Sequence, residues 1–383
     1  MKKMEKNELK KPKDFIEFYE ELKFSPKQEI SDYENHVKKR KELYKHLGLL
    51  PQYFKGKKII EVGPAGGFNS LVIADLQPSE YYLIEPNRQG VKNINDNFNN
   101  HRLLKEGKLK IIERKIEDFN SNNKFDIVIC EATVHGLKNQ TEVLNKLDEL
   151  LAPGGVLIIT CIDEISYFFD IIKKYFAYEL SKDIPTLEEK IMILSKAFNS
   201  HLLGNKVKRD WIIDNLLSDV IFNSFSIKDC INFYNEKYQI YNTSPKIFTD
   251  FRWYKKIPED RDYNEIVIEQ FDKIRHNLFY CYSILDKRTK KENDELIVIC
   301  KEIKKLVYNS IINKQNNKKE IEINMRKLFT NLSNTNNEIL NSLDEIIQLL
   351  QIKKLDIEDL NSKYTGFIKS FGRALQYVSL IKR

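Results

Sequence analysis

The sequence predicts an α/β protein in which a mostly parallel β-sheet is accompanied by large helical additions. Short apolar, β-branched runs alternate with helical stretches between residues 57 and 162, a pattern typical of a parallel sheet covered by helices on both faces. The chain has 383 residues, too many for one ordinary hydrophobic core. Helical periodicity dominates the other segments, so we expect them to be additions to this core.

The strands of the core are predicted by five runs, namely KKIIEVG, YYLIEP, LKIIER, FDIVICE and GVLIITCI. In the helical stretch that follows the core, Asp210 is the expected N-terminal cap of a helix. The runs KYQIYNTS and IFTDFRWYKKI are expected to pair at the edge of the sheet. We therefore divide the chain into an N-terminal helical cap (1–56), the core (57–162), a helical insertion or lid (163–235), an antiparallel edge hairpin (236–258) and a C-terminal helical region (259–383).

The composition argues against several classes of protein. The chain contains no apolar run of about 18 residues, so no membrane span is predicted. Its charged start, MKKMEKNELKKPKDF, lacks the apolar stretch of a secretory signal. The five cysteines have spacings that suit neither a zinc site nor a disulfide scaffold, which favours a cytoplasmic protein without a metal. The net charge of +7 comes from scattered lysines, so a nucleic-acid partner is not predicted, whereas oligomerisation stays open.

The most informative stretch is IIEVGPAGGFNS, residues 59–70, which is typical of a strand that runs into a helix. Its glycines allow tight turns and close approach to a ligand, and the helix N-terminus offers free N–H groups. A dinucleotide-binding loop has the pattern G-x-G-x-x-G, whereas Ala65 stands at the place of its second glycine. Glu61 lies just before Gly63, where a carboxylate would repel a pyrophosphate and attract a cation. S-adenosylmethionine is such a ligand, since it carries a sulfonium and an amino group.

A second acidic residue, Glu85, ends the run YYLIEPN. At the end of the second parallel strand, its carboxylate can accept hydrogen bonds from both hydroxyls of a ribose. Each feature is weak alone, but in strand order Glu61, the glycine loop and Glu85 together predict an adenosyl cofactor site.

In this order the motifs resemble those of the class I S-adenosylmethionine-dependent methyltransferase family over residues 57–162. Glu61, Gly63 and Gly67 match its first motif, and Glu85 matches the acid of its second strand. FDIVICEATVHGL is similar to the fourth-strand motif, and LLAPGGVLIIT to the turn into strand five. The resemblance implies a Rossmann-like methyltransferase core with a mostly parallel seven-stranded sheet. It also implies S-adenosyl-L-methionine as the cofactor and S-adenosyl-L-homocysteine as the product.

The residues expected to hold the cofactor lie at the ends of the first, second and fourth strands and in the turn after the third. Lys115 stands where the family often has an acid that contacts the adenine amino group. We expect Ile116 to pack on the adenine ring and Glu117 or Asp118 to replace the polar contact. The full set is Glu61, Gly63, Pro64, Ala65, Gly66, Gly67, Asn69, Glu85, Pro86, Asn87, Ile116, Glu117, Cys130 and Glu131.

His135 is the expected catalytic base, because it follows the fourth strand, where the crevice opens towards the acceptor. The alternative is a packed side chain against the next helix, or one that shapes the cofactor pocket. Three segments offer acceptor contacts on a shared face: the cap helix, a predicted strand and a predicted terminal helix. The alternative roles are, in the same order, closure of the cap helix over the cofactor, a salt bridge at an edge strand and docking of the terminal helix. The residues are Tyr33, His36 and Arg40; Asp250, Arg252 and Tyr254; and Arg373, Gln376 and Tyr377.

The predicted activity is methyl transfer to an oxygen or nitrogen nucleophile of a small-molecule or surface-glycan-type acceptor. One alternative is a protein or nucleic-acid methyltransferase that uses the helical region as a platform. The other is a catalytically silent scaffold that binds the cofactor and assembles partners. The tetrads N-P-P-Y and D-P-P-Y of nucleic-acid amine methylation do not follow the fourth strand, where Cys130, Glu131, Ala132 and Thr133 stand, which argues against adenine-amine methylation.

Overall fold

The computed structural model describes residues 13–27, 32–199, 207–220, 222–257, 261–280, 286–370 and 375–383. Its centre is a seven-stranded sheet in the order β3-β2-β1-β4-β5-β7-β6. The strands are β1 (Lys58–Val62), β2 (Glu80–Ile84), β3 (Leu109–Ile112), β4 (Phe125–Cys130), β5 (Leu151–Cys161), β6 (Tyr238–Ser244) and β7 (Gln376–Lys382).

The first five strands pair in parallel, and β7 runs antiparallel to both of its neighbours, β5 and β6. Their apolar runs are nearly continuous because both faces of the sheet are covered. The five predicted strands and the fold class, a mostly parallel seven-stranded sheet with large helical additions, are confirmed.

Two predictions about the sheet edge are wrong. The run IFTDFRWYKKI forms no strand within the described residues 245–257, so the predicted hairpin of residues 236–258 is absent there. Instead β6 pairs with β7, which lies in the terminal segment that we predicted to be helical. A strand between two others must bury both faces, and QYVSLIK can do so, whereas the charged run FRWYKK cannot.

Helices cover both faces of the sheet and make up most of the remaining chain. Within the insertion, α9 begins at Lys208 and continues into a π-helix, Ile212–Leu217, so the predicted cap at Asp210 is wrong. The Asp210 side chain instead accepts a hydrogen bond of 2.8 Å from the backbone N–H of Lys27. The helices are α1 (Phe15–Leu22), α2 (Tyr33–His46), α3 (Phe68–Asp75), α4 (Arg88–Phe98), α5 (Arg102–Lys105), α6 (Gln140–Leu150), α7 (Phe168–Ser181), α8 (Leu187–Ala197), α9 (Lys208–Trp211), α10 (Ile227–Tyr234), α11 (Tyr263–Ile274), α12 (Lys290–Ile312), α13 (Lys318–Asn331), α14 (Asn337–Gln351), α15 (Ile357–Lys363) and α16 (Thr365–Lys369).

The two faces of the sheet carry separate hydrophobic cores. Alternate residues of each strand point to opposite faces, so Ile60 and Val128 join one core, and Ile59 and Ile127 join the other. The larger core lies between the sheet and the helices from α6 onwards, and the smaller core is covered by α2, α3 and α4. No helix in the described part of the chain is both long and apolar enough to cross a membrane.

Candidate cofactor and acceptor site

The carboxyl ends of β1, β2 and β4 meet at one edge of the sheet, and the loops that follow them touch there. Gly63 has φ +71°, and a Cβ atom at this position would lie 2.4 Å from Thr133 Oγ1 in the loop after β4. Gly67, also in the left-handed region with φ +75°, is the N-cap of α3. Glycine is needed at position 63 for two reasons. Its φ lies in the left-handed region, and a side chain there would push the two loops apart.

Glu85 is buried at the end of β2, and backbone groups hold its carboxylate. One oxygen accepts a hydrogen bond of 2.8 Å from Ala65 N–H, and the other accepts one of 2.9 Å from Asn87 N–H. Gly90 leaves room for it, since a Cβ there would lie 2.9 Å from Glu85 Cγ. Burial raises the pKa of this carboxyl to about 7. Because each carboxylate oxygen has about two acceptor sites, both oxygens can still accept the hydroxyls of a ribose.

Glu61 is buried at the end of β1 and accepts a hydrogen bond from the Tyr81 hydroxyl on β2. Burial and the negative charge of nearby Glu131 raise the pKa of Glu61 to about 7. Two buried acids with raised pKa values therefore lie at the ends of neighbouring strands. A cationic ligand placed beside them would favour their ionised forms.

Glu131, predicted to hold the cofactor, forms a buried ion pair with Arg40, which was predicted to contact the acceptor. Arg40 Nη1 and Nη2 donate to the two carboxylate oxygens at 3.0 and 2.5 Å, and Nη2 also donates to the Tyr44 hydroxyl at 2.8 Å. Asn69 Nδ2 lies 3.5 Å from the same carboxylate. The pairing of charges allows both groups to be buried, and it fixes α2 across the end of β4.

The other cap residues occupy different environments on α2. His36 is buried, and burial followed by the charge of Arg40 lowers its pKa. The Tyr33 hydroxyl, at the exposed start of the helix, donates a hydrogen bond of 2.8 Å to Asp75 on α3. His36 and Arg40 therefore face the sheet edge, whereas Tyr33 lies at the outer rim.

Cys130 and Ile116 are both buried in the larger hydrophobic core. Burial raises the pKa of the Cys130 thiol to about 12, so the group is uncharged in the folded protein at neutral pH. Glu117 is half-buried and lines a surface groove beside the first turn of α6. Pro64 and Pro86, in the turns after β1 and β2, are also half-buried.

Sequence reasoning missed the contribution of α1, which covers the loop after β4. A Cβ atom on Gly136 would lie 1.9 Å from the Phe15 ring, so α1 rests directly on this loop. The Tyr19 hydroxyl donates a hydrogen bond of 2.7 Å to Asp214 in the π-helix, and Asn87 Nδ2 donates one of 2.7 Å to the Phe24 carbonyl. Helix α1 and the residues after it thus connect the loops at the sheet edge with the helical insertion. No local sequence motif predicts these long-range contacts.

His135 lies beneath α1 in an aromatic cluster. Its ring centroid is 5.9 Å from that of Phe15 and 4.6 Å from that of Phe222, both in edge-to-face orientation. The side chain is buried, and its backbone carbonyl accepts a hydrogen bond of 2.9 Å from Asn223 N–H. Its aromatic partners thus come from α1 and the insertion. Catalysis by His135 stays a prediction.

The two remaining predicted clusters are corrected. Asp250, Arg252 and Tyr254 do not lie on a strand; Asp250 and Arg252 form a local ion pair at 2.8 Å on an exposed loop. The alternative, an edge-strand salt bridge, is therefore met in the ion pair but not in the strand. Gln376 and Tyr377 begin β7 rather than sharing a helical face, so their side chains alternate between the two faces of the sheet. Arg373 lies outside the described residues.

Comparisons with known proteins agree with this geometry. Residues 54–214 match the family profile described as Methyltransferase domain. A curated relative, malonyl-[acyl-carrier protein] O-methyltransferase 2 of Ilyobacter polytropus, is 25% identical over 111 residues, which cover 29% of this chain and 41% of that protein. This chain therefore spans less than half the length of that relative.

Similar solved structures include the N-methyltransferase NodS from Bradyrhizobium japonicum in complex with S-adenosyl-L-homocysteine, at 15% identity and TM-score 0.31, covering 39% of this chain and 72% of that one. Another is an S-adenosylmethionine-dependent methyltransferase from Clostridium acetobutylicum, at 15% identity and TM-score 0.29, covering 36% of this chain and 53% of that one.

The site suits an adenosyl cofactor that carries positive charge, because a glycine loop, an anchored acid for a ribose and a second buried acid converge at one sheet edge. Fold, site and family match together define the class of S-adenosylmethionine-dependent methyltransferases, and S-adenosyl-L-methionine is the cofactor of this class. The family profile places the methyltransferase domain at residues 54–214, and the rest of the chain lies outside this match.

Proposed function

We propose that this protein transfers the methyl group of S-adenosyl-L-methionine to an oxygen or nitrogen nucleophile of a small-molecule or surface-glycan-type acceptor. The observation that carries the proposal is the Glu85 carboxylate, buried at the end of β2 and fixed by the N–H groups of Ala65 and Asn87. Burying a carboxyl is costly for folding because its charged form loses hydration, and a ligand that needs the acid gives a reason to keep it there.

The chain's own residues would mostly position the reactants. The cofactor supplies an activated methyl group, so the protein needs little covalent chemistry. Glu85 would hold the ribose, and the ionised Glu61 would attract the positive end of the cofactor. The Arg40–Glu131 pair fixes α2 over the end of β4, and α1 covers the loop that carries His135. These elements would exclude water and align the acceptor with the methyl carbon, which is the main source of rate in such transfers.

The cover over the crevice favours a small acceptor, or the tip of a larger one, over an extended macromolecule. Phe15 lies against Gly136, Tyr19 is bonded to Asp214, and Lys138 on the loop after β4 forms an ion pair of 2.5 Å with Glu17 on α1. An extended polymer would have to displace the whole of α1 from these contacts. His135 would take the acceptor's proton if the nucleophile is protonated at the working pH.

Isothermal titration calorimetry with S-adenosylmethionine, S-adenosylhomocysteine and a nicotinamide dinucleotide tests the proposal. Both adenosyl compounds should bind with one-to-one stoichiometry, and the dinucleotide should not. Binding of the dinucleotide alone would refute the proposal. Cofactor binding without turnover on any amine or hydroxyl acceptor, in a screen for released S-adenosylhomocysteine, would instead favour the silent scaffold.

A further inference from the structure

A loop beside the sheet edge carries three exposed aromatic side chains. Phe251 is 93% exposed, Trp253 61% and Tyr254 67%. We call residues 249–256 the aromatic loop. Single exposed apolar side chains are ordinary on protein surfaces, but several in close succession form an apolar patch, which is typical of an interaction surface.

The base of the aromatic loop is fixed, so the exposure of its tip is part of the fold. Thr249 exchanges two hydrogen bonds of 2.9 Å with the side-chain amide of Gln270 on α11. Asp250 accepts from the backbone N–H of Arg252 at 2.9 Å and from its guanidinium at 2.8 Å, which closes a tight turn around Phe251. Just before the loop, the Phe248 ring packs edge-to-face on Tyr263 at 5.7 Å. These contacts present the aromatic side chains outwards.

The surroundings of the aromatic loop are basic. Residues 245–257 contain four basic residues and one acidic residue. Lys246, Lys255 and Lys256 are exposed, and Lys255 Nζ lies 5.0 Å from the centre of the Trp253 ring. The end of β6, five residues before the loop, lies next to α2, since His46 Nδ1 is 3.3 Å from Ser244 Oγ. Helix α2 itself exposes Lys38, Lys39, Lys41 and Lys45. An apolar tip flanked by cations therefore protrudes from this part of the molecule.

The topology places the aromatic loop on the same side as the cofactor site. Because β7 is antiparallel to both β5 and β6, β6 runs parallel to β5. The chain therefore leaves β6 at the same edge of the sheet at which β1, β2 and β4 end. A surface that contacts the loop would also lie towards this edge.

We propose that the aromatic loop docks this protein onto an anionic lipid surface, with Phe251, Trp253 and Tyr254 entering the interface and Lys246, Lys255 and Lys256 meeting the headgroups. Trp and Tyr concentrate at membrane–water interfaces, and lysines near an anionic leaflet add electrostatic attraction. Phe251 has no hydrogen-bonding group and is the most exposed of the three, which favours hydrocarbon over sugar or nucleobase edges. The docking goes beyond the proposed methyl transfer and does not depend on it.

Intrinsic fluorescence offers a direct test, because the chain contains two tryptophans. Trp253 is exposed and Trp211 is buried, so a change on docking reports the aromatic loop. We expect vesicles of phosphatidylcholine with about a quarter phosphatidylglycerol to shift the emission to shorter wavelength and to protect Trp253 from iodide. Brominated lipids should quench it. Trp253→Phe should remove the spectral change and leave vesicle co-sedimentation largely intact.

The two parts of the surface can be separated by substitution. Each lysine near an anionic surface contributes about fivefold to binding, so changing Lys246, Lys255 and Lys256 to Ala should weaken co-sedimentation roughly a hundredfold. The double variant Phe251→Ser with Tyr254→Ser should weaken co-sedimentation further, towards the level found with vesicles of pure phosphatidylcholine. Val298→Ser, Lys291→Ala and Lys301→Ala, all at exposed positions of α12, are matched controls and should have no effect.

Unchanged emission with anionic vesicles, or equal losses in the α12 controls, would overturn the proposal. It would also be overturned if single-stranded RNA or a soluble oligosaccharide protected Trp253 while vesicles did not. The assay contains no cofactor, so its failure is distinct from a failure of the proposed methyl transfer.

Discussion

The two halves of the candidate site are built in different ways. The half at β1 and β2 consists of local motifs, in which backbone N–H groups of Ala65 and Asn87 hold the Glu85 carboxylate. The half at β4 is assembled from distant segments: Arg40 of α2 pairs with Glu131, and Phe15 of α1 covers Gly136. Backbone geometry thus shapes the half that carries Glu85, and side chains supplied by helical additions shape the half that carries His135, the predicted base. Variants on the two sides should therefore affect binding and turnover differently.

The largest expected effect lies on the acceptor side, at His135. A catalytic base contributes roughly 10²–10⁴-fold, so His135→Asn should lower turnover by about this factor and leave cofactor affinity within a few-fold. Single-turnover kinetics and calorimetry measure the two quantities. Phe222→Leu is the matched control, because it disturbs the same aromatic cluster and keeps the imidazole. If both variants lose turnover equally, His135 is a packing residue.

The next effect concerns folding rather than catalysis. Arg40→Met should lower the free energy of unfolding by about 3–5 kcal/mol, because it leaves the buried Glu131 carboxylate without its partner. Adding Glu131→Leu should restore much of the loss. Arg326→Met removes the exposed Arg326 side chain from its pair with the half-buried Glu322 and should cost less than about 1 kcal/mol. Urea unfolding compares the three, and a small loss for Arg40→Met would show that the pair does not hold α2.

On the cofactor side, Glu85→Ala should weaken binding of S-adenosylhomocysteine about tenfold to a hundredfold, since hydrogen bonds to a charged group contribute roughly 1.5–3 kcal/mol. Calorimetry measures the affinity. Glu80→Ala removes a half-buried acid that pairs with Lys58 at the start of the same strand and is the control. An affinity unchanged in Glu85→Ala would mean that the ribose is held elsewhere.

The smallest effect is a pH dependence of the same binding. Burial raises the pKa values of Glu61 and Glu85 to about 7, so both groups gain negative charge as the pH rises through this value. A cationic cofactor favours the ionised forms, so affinity for S-adenosylmethionine should rise between about pH 6 and about pH 8 with proton release. The free protein should lose stability from about pH 4.5 towards pH 7, because over this range only the unfolded chain gives up these protons.

Calorimetry in two buffers of different ionisation enthalpy measures the proton release, and denaturant melts at each pH measure the stability. Glu85→Gln should remove one of the two protons released. Affinity that stays constant over this pH range would show that both acids are already ionised in the free protein.

Some residues of the candidate site are placed by the sequence around them, and others by contacts between distant segments. The positions of Glu61, Gly63 and Glu85 were predictable because each depends on a strand end and the turn beside it, and their contacts with the cofactor stay predictions. The Arg40–Glu131 pair was not predicted, although both residues were singled out, because nothing in a sequence shows that two segments so far apart will meet. The contacts of Phe15 and Tyr19 had no signal for the same reason. Asp250 and Arg252 were misplaced because alternation along a short charged run imitates a strand.

The sequence by itself determined the five parallel strands and the glycine turn after the first of them, since strand period, turn chemistry and burial are properties of short segments. The tertiary structure alone decided which strand completes the sheet. Both KYQIYNTS and QYVSLIK can form strands, yet β7 inserts between β5 and β6 because that place buries both of its faces. The tertiary structure also decided that the run IFTDFRWYKKI contains the exposed aromatic loop rather than a strand. A strand's neighbours depend on the free energy of the whole core, and no local pattern encodes that sum.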